Sequence, residues 1–341
     1  MTQQEATSDD HLDHRLDDSL DTWPAVSVVI PVLNEAGHLA EGLAMVLGQD
    51  YPGELEVVVA LGPSHDGTEL IARRLQATDP RIVLVDNPSG RTPDGLNAAI
   101  AASHHGIIAR VDGHAEIPSA YVRLAVTELT RVGADNVGGI MDAQGITPFQ
   151  RAVACAMKSR LGVGNARFHV GGGAGEAETV YLGVFRRSAL ERVGGYDPHY
   201  SRAQDWEMNH RIRSTGGKVW FTPELRVTYR PRGNVRGLAR QYFYYGRWRR
   251  VVARQHAGTI NARYLAAPTM VVATTVALVA GLAWPPALLV PGAYVGGVVV
   301  GGLAISRRER PVARIRVPLV LAVMHWSWGV GFLSSTKRSR D

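Results

Sequence analysis

Residues 26–35 read VSVVIPVLNE, a mostly β-branched apolar run that ends in the polar pair Asn34 and Glu35. A continuous apolar run of this kind is typical of a strand covered on both faces, as the strands of a parallel sheet are. We predict the first strand at 26–31, further strands at 55–61, 81–85 and 107–111, and helices at 38–49, 67–77 and 94–103. This alternation predicts an α/β fold with a mostly parallel central sheet and helices on both sides.

Polar side chains follow each predicted strand, at the edge where open α/β sheets bind their ligands. They are Asn34, Glu35, Asp66, Asp86, Asp112 and His114. None of these strand ends carries a Walker-type glycine loop or a G-x-G-x-x-G fingerprint. The sequence therefore excludes the phosphate-binding loops of those two protein classes.

The stretch ARVDGHAEIP, residues 109–118, places Asp112 and His114 two residues apart. In an extended segment such residues point the same way, and Gly113 between them permits close approach. A carboxylate and an imidazole suit a divalent metal, either Mg²⁺ or Mn²⁺, with the imidazole favouring Mn²⁺. The alternative is that Asp112 caps a turn and His114 faces solvent.

Charge and cysteine content indicate the compartment. The first 21 residues hold seven acidic side chains and one arginine, so we predict a disordered acidic tail over residues 1–24, and a basic tail over 335–341. The single cysteine, Cys155, excludes an internal disulfide and a cysteine-rich zinc site. These features favour a reducing compartment, and therefore the cytoplasm, for the polar part of the chain.

Two uncharged apolar runs, 265–283 and 286–305, are each long enough to span a bilayer. The loop 306–316 carries five arginines, which places it, and with it the N-terminal part of the chain, on the cytoplasmic side. A third run, 317–333, leaves its topology open, so a transmembrane region of two or three helices is predicted over 265–334. Buried core helices are the alternative for all three runs.

Residues 231–264 combine arginines with aromatic residues. On a helical wheel, one stripe is apolar and the opposite stripe is basic. The apolar stripe is Leu238, Tyr242, Tyr245, Trp248 and Val252, and the basic stripe is Arg236, Arg240, Arg247, Arg250 and Arg254. The pattern predicts amphipathic helices in the membrane interface. A helix packed on the catalytic domain is the alternative. Nucleic-acid binding is disfavoured by the apolar runs that follow, so no nucleic-acid partner is expected.

Several ordered motifs resemble those of the family 2 glycosyltransferases, and more narrowly its succinoglycan-type members with C-terminal membrane helices. VSVVIPVLNE resembles the opening strand of that family, NPSGRTPDGLNAAI from residue 87 the segment before the metal motif, and RVDGHAEIP the metal motif itself, with Asp-x-His in place of Asp-x-Asp. The stretch 181–221 resembles the acceptor-side half. The resemblance implies a nucleotide-diphospho-sugar transferase domain of the GT-A type over residues 25–230.

The resemblance also implies roles for individual residues. It implies a nucleotide-sugar donor, a lipid-linked or glycan acceptor, inversion by one displacement, and Mn²⁺ or Mg²⁺ held by Asp112 and His114. Asp205 is the implied general base. The implied donor-binding residues are Pro31, Asn34, Glu35, Asp66, Arg91, Asn97 and Asp112. The implied setting is cell-envelope or exopolysaccharide synthesis at the cytoplasmic membrane.

The acceptor side keeps several alternatives open. Asp205 is either the base or a helix N-cap, and Glu207 is the alternative base. Trp206 either stacks on a sugar or packs in the core. Arg249 is a further candidate, with the donor diphosphate as its partner.

One departure from the family pattern concerns the end of the second strand. Leu61 precedes GPSHDGT, where family members usually carry an aspartate that recognises the nucleobase. A non-catalytic nucleotide-sugar-binding membrane scaffold is therefore an alternative function. A processive polysaccharide synthase is a second alternative, although the spacing between Gln241 and Arg247-Trp248 is longer than in processive members.

Overall fold

The computed structural model describes residues 22–335. The predicted acidic tail lies outside the described residues except for 22–24, and the predicted basic tail lies outside them except for residue 335. The chain divides into two compact units. The first contains residues up to 139, 174–196 and 209–226, and the second contains 140–173, 197–208 and 227 onwards.

The first half of the chain forms the parallel part of an eight-stranded sheet. Its strands are β1 (Val26–Val32), β2 (Leu55–Leu61), β3 (Ile82–Asp86) and β4 (Ile107–Arg110). The connecting helices are α1 (Leu39–Leu47), α2 (Thr68–Thr78) and α3 (Thr92–Ala102). β1 pairs in parallel with β2 and β4, and β2 with β3. Each element lies within two residues of its predicted bounds, which is the usual uncertainty of helix and strand ends.

The second part of the sheet is mixed. Its strands are β5 (Asn136–Ala143), β6 (Gly175–Glu176), β7 (Tyr181–Arg186) and β8 (Val219–Tyr229), and the sheet order is β3-β2-β1-β4-β7-β5-β8-β6. β7 runs antiparallel to β4 and β5, and β6 runs antiparallel to β8. The helices among these strands are α4 (Tyr121–Arg131), α5 (Pro148–Met157), α6 (Arg160–Val163), α7 (Arg167–Val170), α8 (Arg187–Val193) and α9 (Gln204–Ser214). The predicted mostly parallel sheet is thus confirmed for the strands that precede β5.

Burial explains why the parallel strands read as continuous apolar runs. Val57, Val58 and Val59 are each fully buried although successive strand residues point to opposite faces. Both faces of β2 are therefore covered, and β1 is buried in the same way from Val26 to Ile30. This rigid centre fixes the positions from which the strand-end loops depart.

The second unit contains the long apolar helices. They are α10 (Val235–Gln255), α11 (Ala262–Ala280), a short 3₁₀ helix (Pro285–Leu288), α12 (Leu289–Ile305), α13 (Pro311–Arg314) and α14 (Val317–Ser334). By length and composition, the segments 262–280, 285–305 and 311–334 can each cross a membrane. Large apolar side chains such as Val279, Leu289 and Val300 are exposed on them, which is unfavourable in water and suits a lipid environment.

The apolar stripe of α10 corrects one prediction. Leu238, Tyr242, Trp248 and Val252 are all buried within the protein, whereas the interfacial interpretation required that stripe to face lipid. Tyr245 alone of the predicted stripe is exposed. The structure packs this helix mainly against α14, and only Trp248 and Val252 of the stripe cluster with Tyr200 of the predicted catalytic domain.

Two glycines allow α10 and α14 to approach closely. A Cβ added at Gly246 would lie 2.0 Å from the carbonyl oxygen of Trp328, and one added at Gly331 would lie 2.0 Å from that of Phe243. No larger residue fits at either position without moving a helix. Small residues at such crossings are typical of helices that pack in membranes.

Candidate active site

The loop after β1 is fixed to the loop after β2 by hydrogen bonds. Asn34 adopts a left-handed backbone conformation with φ of 56°, which asparagine tolerates better than most residues. Its Oδ1 accepts from the backbone N–H of His65 at 2.9 Å, and its own N–H donates to Oγ of Ser64 at 2.9 Å. The predicted donor residue Asn34 thus has a positioning role within the loops.

Asp66 holds the same loops at the start of α2. Oδ1 accepts from the hydroxyl of Thr68 at 2.6 Å, and Oδ2 accepts from the N–H of Ala36 at 2.9 Å. These bonds, led by that from Thr68, lower the pKa of Asp66 because they favour the carboxylate. Thr68 in turn accepts from the N–H of Glu35 at 2.8 Å, so Asp66 supports the position of Glu35.

Asp112 and His114 lie in a turn rather than in an extended segment, so the expectation of an extended pair is wrong. The N–H of Ala115 donates to the carbonyl of Asp112 at 2.9 Å and closes the turn. Oδ1 of Asp112 accepts from Nε and Nη2 of Arg110 at 3.2 and 3.0 Å. Nδ1 of His114 donates to Oε1 of Glu35 at 2.9 Å.

Gly113 is required by this turn. A Cβ at this position would lie 3.0 Å from Cγ1 of Val32 and 3.4 Å from Cγ of Glu35. The absence of a side chain therefore brings the turn against the end of β1, where Glu35 follows. Close approach of a ligand at Gly113 stays a prediction.

The donor set at this turn fits a divalent cation. The hydrogen bond to Glu35 occupies Nδ1 of His114, and such a bond from one ring nitrogen to a carboxylate is common for metal-binding histidines. Asp112 supplies a hard carboxylate oxygen. Among residues 22–335 there is no group of three or more His, Cys, Asp and Glu side chains around one point. Two protein ligands, with phosphate oxygens completing the shell, match the way Mg²⁺ and Mn²⁺ bind with nucleotides.

Three other predicted donor residues differ in their surroundings. Nδ2 of Asn97 donates to the carbonyl of Tyr196 at 2.7 Å, and its Oδ1 accepts from the N–H of the same residue at 2.8 Å. Asn97 therefore joins α3 to the loop after α8. Arg91 is exposed and pairs with Asp94 at 2.8 Å, and Pro31 is half-buried at the end of β1. Their contact with a donor stays a prediction.

Leu61, the departure from the family pattern, is the last residue of β2 and is buried. It is in register with Asp86, the last residue of the parallel strand β3. In-register residues of parallel strands point to the same face. An exposed carboxylate is thus present at the same sheet edge, one strand away from its usual place.

Asp205 belongs to the second unit and is the second residue of α9. The N-cap alternative therefore does not match the observed helix start, and the negative charge lies in the first turn, where the helix dipole stabilises it. The residue before the helix, Ala203, has φ of 61°, a strained conformation for a residue with a Cβ. Asp205 is half-buried.

Trp206 and Arg249 are brought together in the second unit. The guanidinium carbon of Arg249 lies 4.1 Å from the ring centre of Trp206 and also 4.1 Å from that of Tyr264. Nη2 of Arg249 also donates to the carbonyl of Thr259. One face of Trp206 is thus covered by a buried cation, which is packing within the protein; contact of Trp206 with a sugar stays a prediction.

Glu207, the alternative base, is only 2% exposed and lies in the second unit with His256. Nε2 of His256 is 3.3 Å from Oε1 of Glu207. A buried carboxylate requires such a partner, because isolated burial of its charge is costly. The pairing favours a structural role for Glu207 and leaves Asp205 as the more exposed carboxylate.

Sequence reasoning missed Arg110, Tyr264 and His256, which contact the predicted residues Asp112, Arg249 and Glu207. Arg110 could have been identified from the sequence, since it is a charged residue in an otherwise apolar predicted strand. In the structure it is buried. Tyr264 and His256 had none, because only the fold brings them near their partners.

Comparison with known proteins gives consistent results. The sequence profile described as "Glycosyl transferase family 2" matches residues 27–194. The succinoglycan biosynthesis protein ExoA of Rhizobium meliloti is 32% identical over 307 residues, which cover 89% of this chain and 93% of that protein. A Methanococcus voltae protein named "Dolichyl N-acetyl-alpha-D-glucosaminyl phosphate 3-beta-D-2,3-diacetamido-2,3-dideoxy-beta-D-glucuronosyltransferase" is 20% identical, with 90% and 95% covered.

Among solved structures, the mannosyltransferase PcManGT of Pyrobaculum calidifontis, in complex with GDP-Man and Mn²⁺, matches with a TM-score of 0.57 and 21% identity. The match covers 89% of this chain and 86% of that one. At this identity the likeness concerns the fold alone. It confirms the predicted GT-A type of fold, with a mixed, mostly parallel sheet followed by apolar helices.

Proposed function

This chain belongs to glycosyl transferase family 2, and we propose that it transfers a sugar, with inversion, from a nucleotide-diphosphate donor to a lipid-linked or glycan acceptor. The observation that carries the proposal is the turn at Asp112 and His114, at the carboxyl edge of the parallel strands, with His114 oriented by Glu35. The proposed setting is cell-envelope or exopolysaccharide synthesis at the cytoplasmic face of the membrane.

The donor side depends on the turn and its supporting loops. Asp112 and Nε2 of His114 would hold Mn²⁺ or Mg²⁺, and the bound cation would neutralise charge on the diphosphate. Glu35 fixes the imidazole, and Asp66 with Thr68 fixes the backbone of Glu35. This preorganised set would let the carboxylate and the imidazole take up the cation without rearrangement.

The reaction we propose is one in-line displacement. The acceptor hydroxyl oxygen forms a bond to the anomeric carbon while the bond from that carbon to the diphosphate oxygen breaks. Asp205 accepts the hydroxyl proton, and the nucleoside diphosphate leaves with the bonding electron pair. The half-buried position of Asp205 in a helix first turn keeps a carboxylate accessible for this role.

The membrane and the lipid-linked acceptor are supported by the second unit. Three helices can span a bilayer, and the five arginines of 306–316 favour a cytoplasmic loop between the second and third. The names of the Rhizobium and Methanococcus relatives refer to succinoglycan biosynthesis and to a dolichyl phosphate, respectively. These names favour a glycan-building step on a carrier lipid.

The test is sugar transfer and donor hydrolysis by membranes that contain the full chain, with Mn²⁺ and a panel of nucleotide sugars. Asp112→Asn and Asp205→Asn should each abolish most turnover. The matched control is Asp50→Asn, which neutralises a carboxylate that pairs with Arg123 at 2.9 Å. Full turnover in both Asp112→Asn and Asp205→Asn would refute the proposal.

The non-catalytic scaffold remains a second candidate because Leu61 lacks the usual carboxylate. Asp86, in register with Leu61, offers a replacement for it in nucleobase recognition. Detectable turnover of any nucleotide sugar by the wild-type chain would eliminate the scaffold. Donor binding without turnover, increased by Leu61→Asp, would support it.

A further inference from the structure

An apolar groove of about 920 Å³ runs along α11 in the second unit. Leu265, Thr269, Val272, Val276 and Ala280 line it, and their spacing of three or four residues places them on one helix face. At about 1.5 Å of rise per residue, this face is about 22 Å long. The groove therefore covers most of the depth of a hydrocarbon core of roughly 30 Å.

Two arginines one turn apart on α10, Arg250 and Arg254, also line the groove. They are placed near the start of α11, because the neighbouring Arg249 lies 4.1 Å from the ring centre of Tyr264 in the first turn of that helix. Nη1 of Arg250 donates to the carbonyls of Phe332 and Leu333 at 3.0 and 3.2 Å, and Nη2 of Arg254 donates to that of Ser335 at 2.8 Å. These bonds hold both guanidinium groups against the end of α14.

Neither arginine has a carboxylate partner within residues 22–335. In that part of the chain, Nε and one Nη of each guanidinium also make no hydrogen bond. Two positively charged side chains, each with N–H groups that make no hydrogen bond within the described residues, thus line the apolar groove. Guanidinium groups with unused donors match the oxygens of a phosphate.

We propose that this groove binds the carrier lipid of the acceptor, with its phosphate at Arg250 and Arg254 and its hydrocarbon chain along α11. The charge at one end and the apolar length together select a molecule with an anionic headgroup and a long chain. Trp284 lines the groove as well and suits a membrane interface. The inference rests on the proposed function and adds to it the site that holds the lipid.

The experiment measures binding of dolichyl phosphate, and of uncharged dolichol, to the full chain in phosphatidylcholine nanodiscs without donor. Arg254→Gln should weaken dolichyl phosphate binding by about tenfold, since a hydrogen bond to a charged group is lost, and leave dolichol binding unchanged. The matched control is Arg236→Gln, an exposed arginine of the same helix outside the groove, which should change neither.

A second pair of variants tests the apolar part. Ala273→Trp fills the groove and should weaken binding of both lipids by about tenfold or more. Val279→Trp introduces the same side chain at a residue of α11 that is 65% exposed and outside the groove, and it should weaken neither. Both substitutions are made at surface positions of one helix, so a difference between them reports on the groove.

Equal effects within either pair of variants would overturn the inference. Displacement of dolichyl phosphate by an equal amount of phosphatidylglycerol would also overturn it, because the groove would then be a general site for anionic lipid. These readouts require no catalysis. Absence of sugar transfer by the wild-type chain would instead refute the proposed function while the lipid-binding result still decides the groove.

Discussion

Glu35→Gln provides the sharpest test of the metal site. Oε1 of Glu35 accepts from Nδ1 of His114 at 2.9 Å, and Glu35 is itself largely buried while the imidazole is half exposed. The amide of glutamine has a weaker acceptor and no charge, so His114 would lose both its orientation and part of its basicity. Loss of such a supporting carboxylate typically weakens metal binding by about 10- to 100-fold, or about 1.4–2.8 kcal/mol.

The assay is titration of Mn²⁺ followed by electron paramagnetic resonance, in the presence of a nucleoside diphosphate that the wild-type chain binds. Glu56→Gln is a matched control, because Oε2 of Glu56 pairs with Nδ1 of His104 at the same distance of 2.9 Å. Glu56 lies at the start of β2, whereas the candidate metal site lies at the ends of the parallel strands. Glu35→Gln should raise the Mn²⁺ dissociation constant and Glu56→Gln should not. Equal dissociation constants in both variants would refute the assignment of His114 as a ligand.

Three further predictions concern helix packing, the pH dependence of stability and recognition of the donor's nucleobase. Gly246→Ala should destabilise the chain in detergent by about 1–3 kcal/mol, because the added Cβ meets the Trp328 carbonyl. The control Gly296→Ala, at a position with open space around it, should not destabilise the chain. Equal unfolding temperatures for the two variants would contradict the close contact between α10 and α14. Burial opposes ionisation of Glu56, but hydrogen bonds from His104 and Ser27 outweigh it and lower its pKa from 4.5 to about 2. Its stabilising effect is therefore present above about pH 4.5 and lost as the pH falls towards 2, a loss that denaturant titrations should find in the wild-type chain and not in Glu56→Gln. Asp86→Asn should weaken nucleotide binding several-fold in calorimetry while Asp50→Asn leaves it unchanged; identical affinities would remove Asp86 from base recognition.

The parallel half of the fold was predictable because its signals are local. β1, β2 and β4 are buried on both faces, so each reads as a largely apolar run in the sequence, and the half-buried β3 keeps the apolar run Ile82–Val85. The long apolar helices were predictable for the same reason. β5 to β8 were not predicted, because β6 has only two residues and the other three interrupt their apolar residues with glycine, proline or charged side chains.

The candidate site was likewise predictable only in part. The residue types at the strand ends, Asp112 and His114 among them, are visible in the sequence because a polar cluster follows an apolar strand. Their partners are not visible: Glu35 precedes His114 by 79 residues, and only the return of the chain to the end of β1 brings them within hydrogen-bond distance. The extended geometry expected for the pair was wrong because the Ala115 N–H closes a turn instead.

By itself, the sequence determined where the strands and apolar helices lie and which strand ends carry charge, since hydrophobic periodicity and length act within a few neighbouring residues. Only the tertiary structure decided which face of α10 is buried, that Arg249 lies between Trp206 and Tyr264, and that Arg250 and Arg254 stand at an apolar groove. Those outcomes depend on packing between distant segments, because burial and charge pairing are set by whichever surfaces the fold brings into contact.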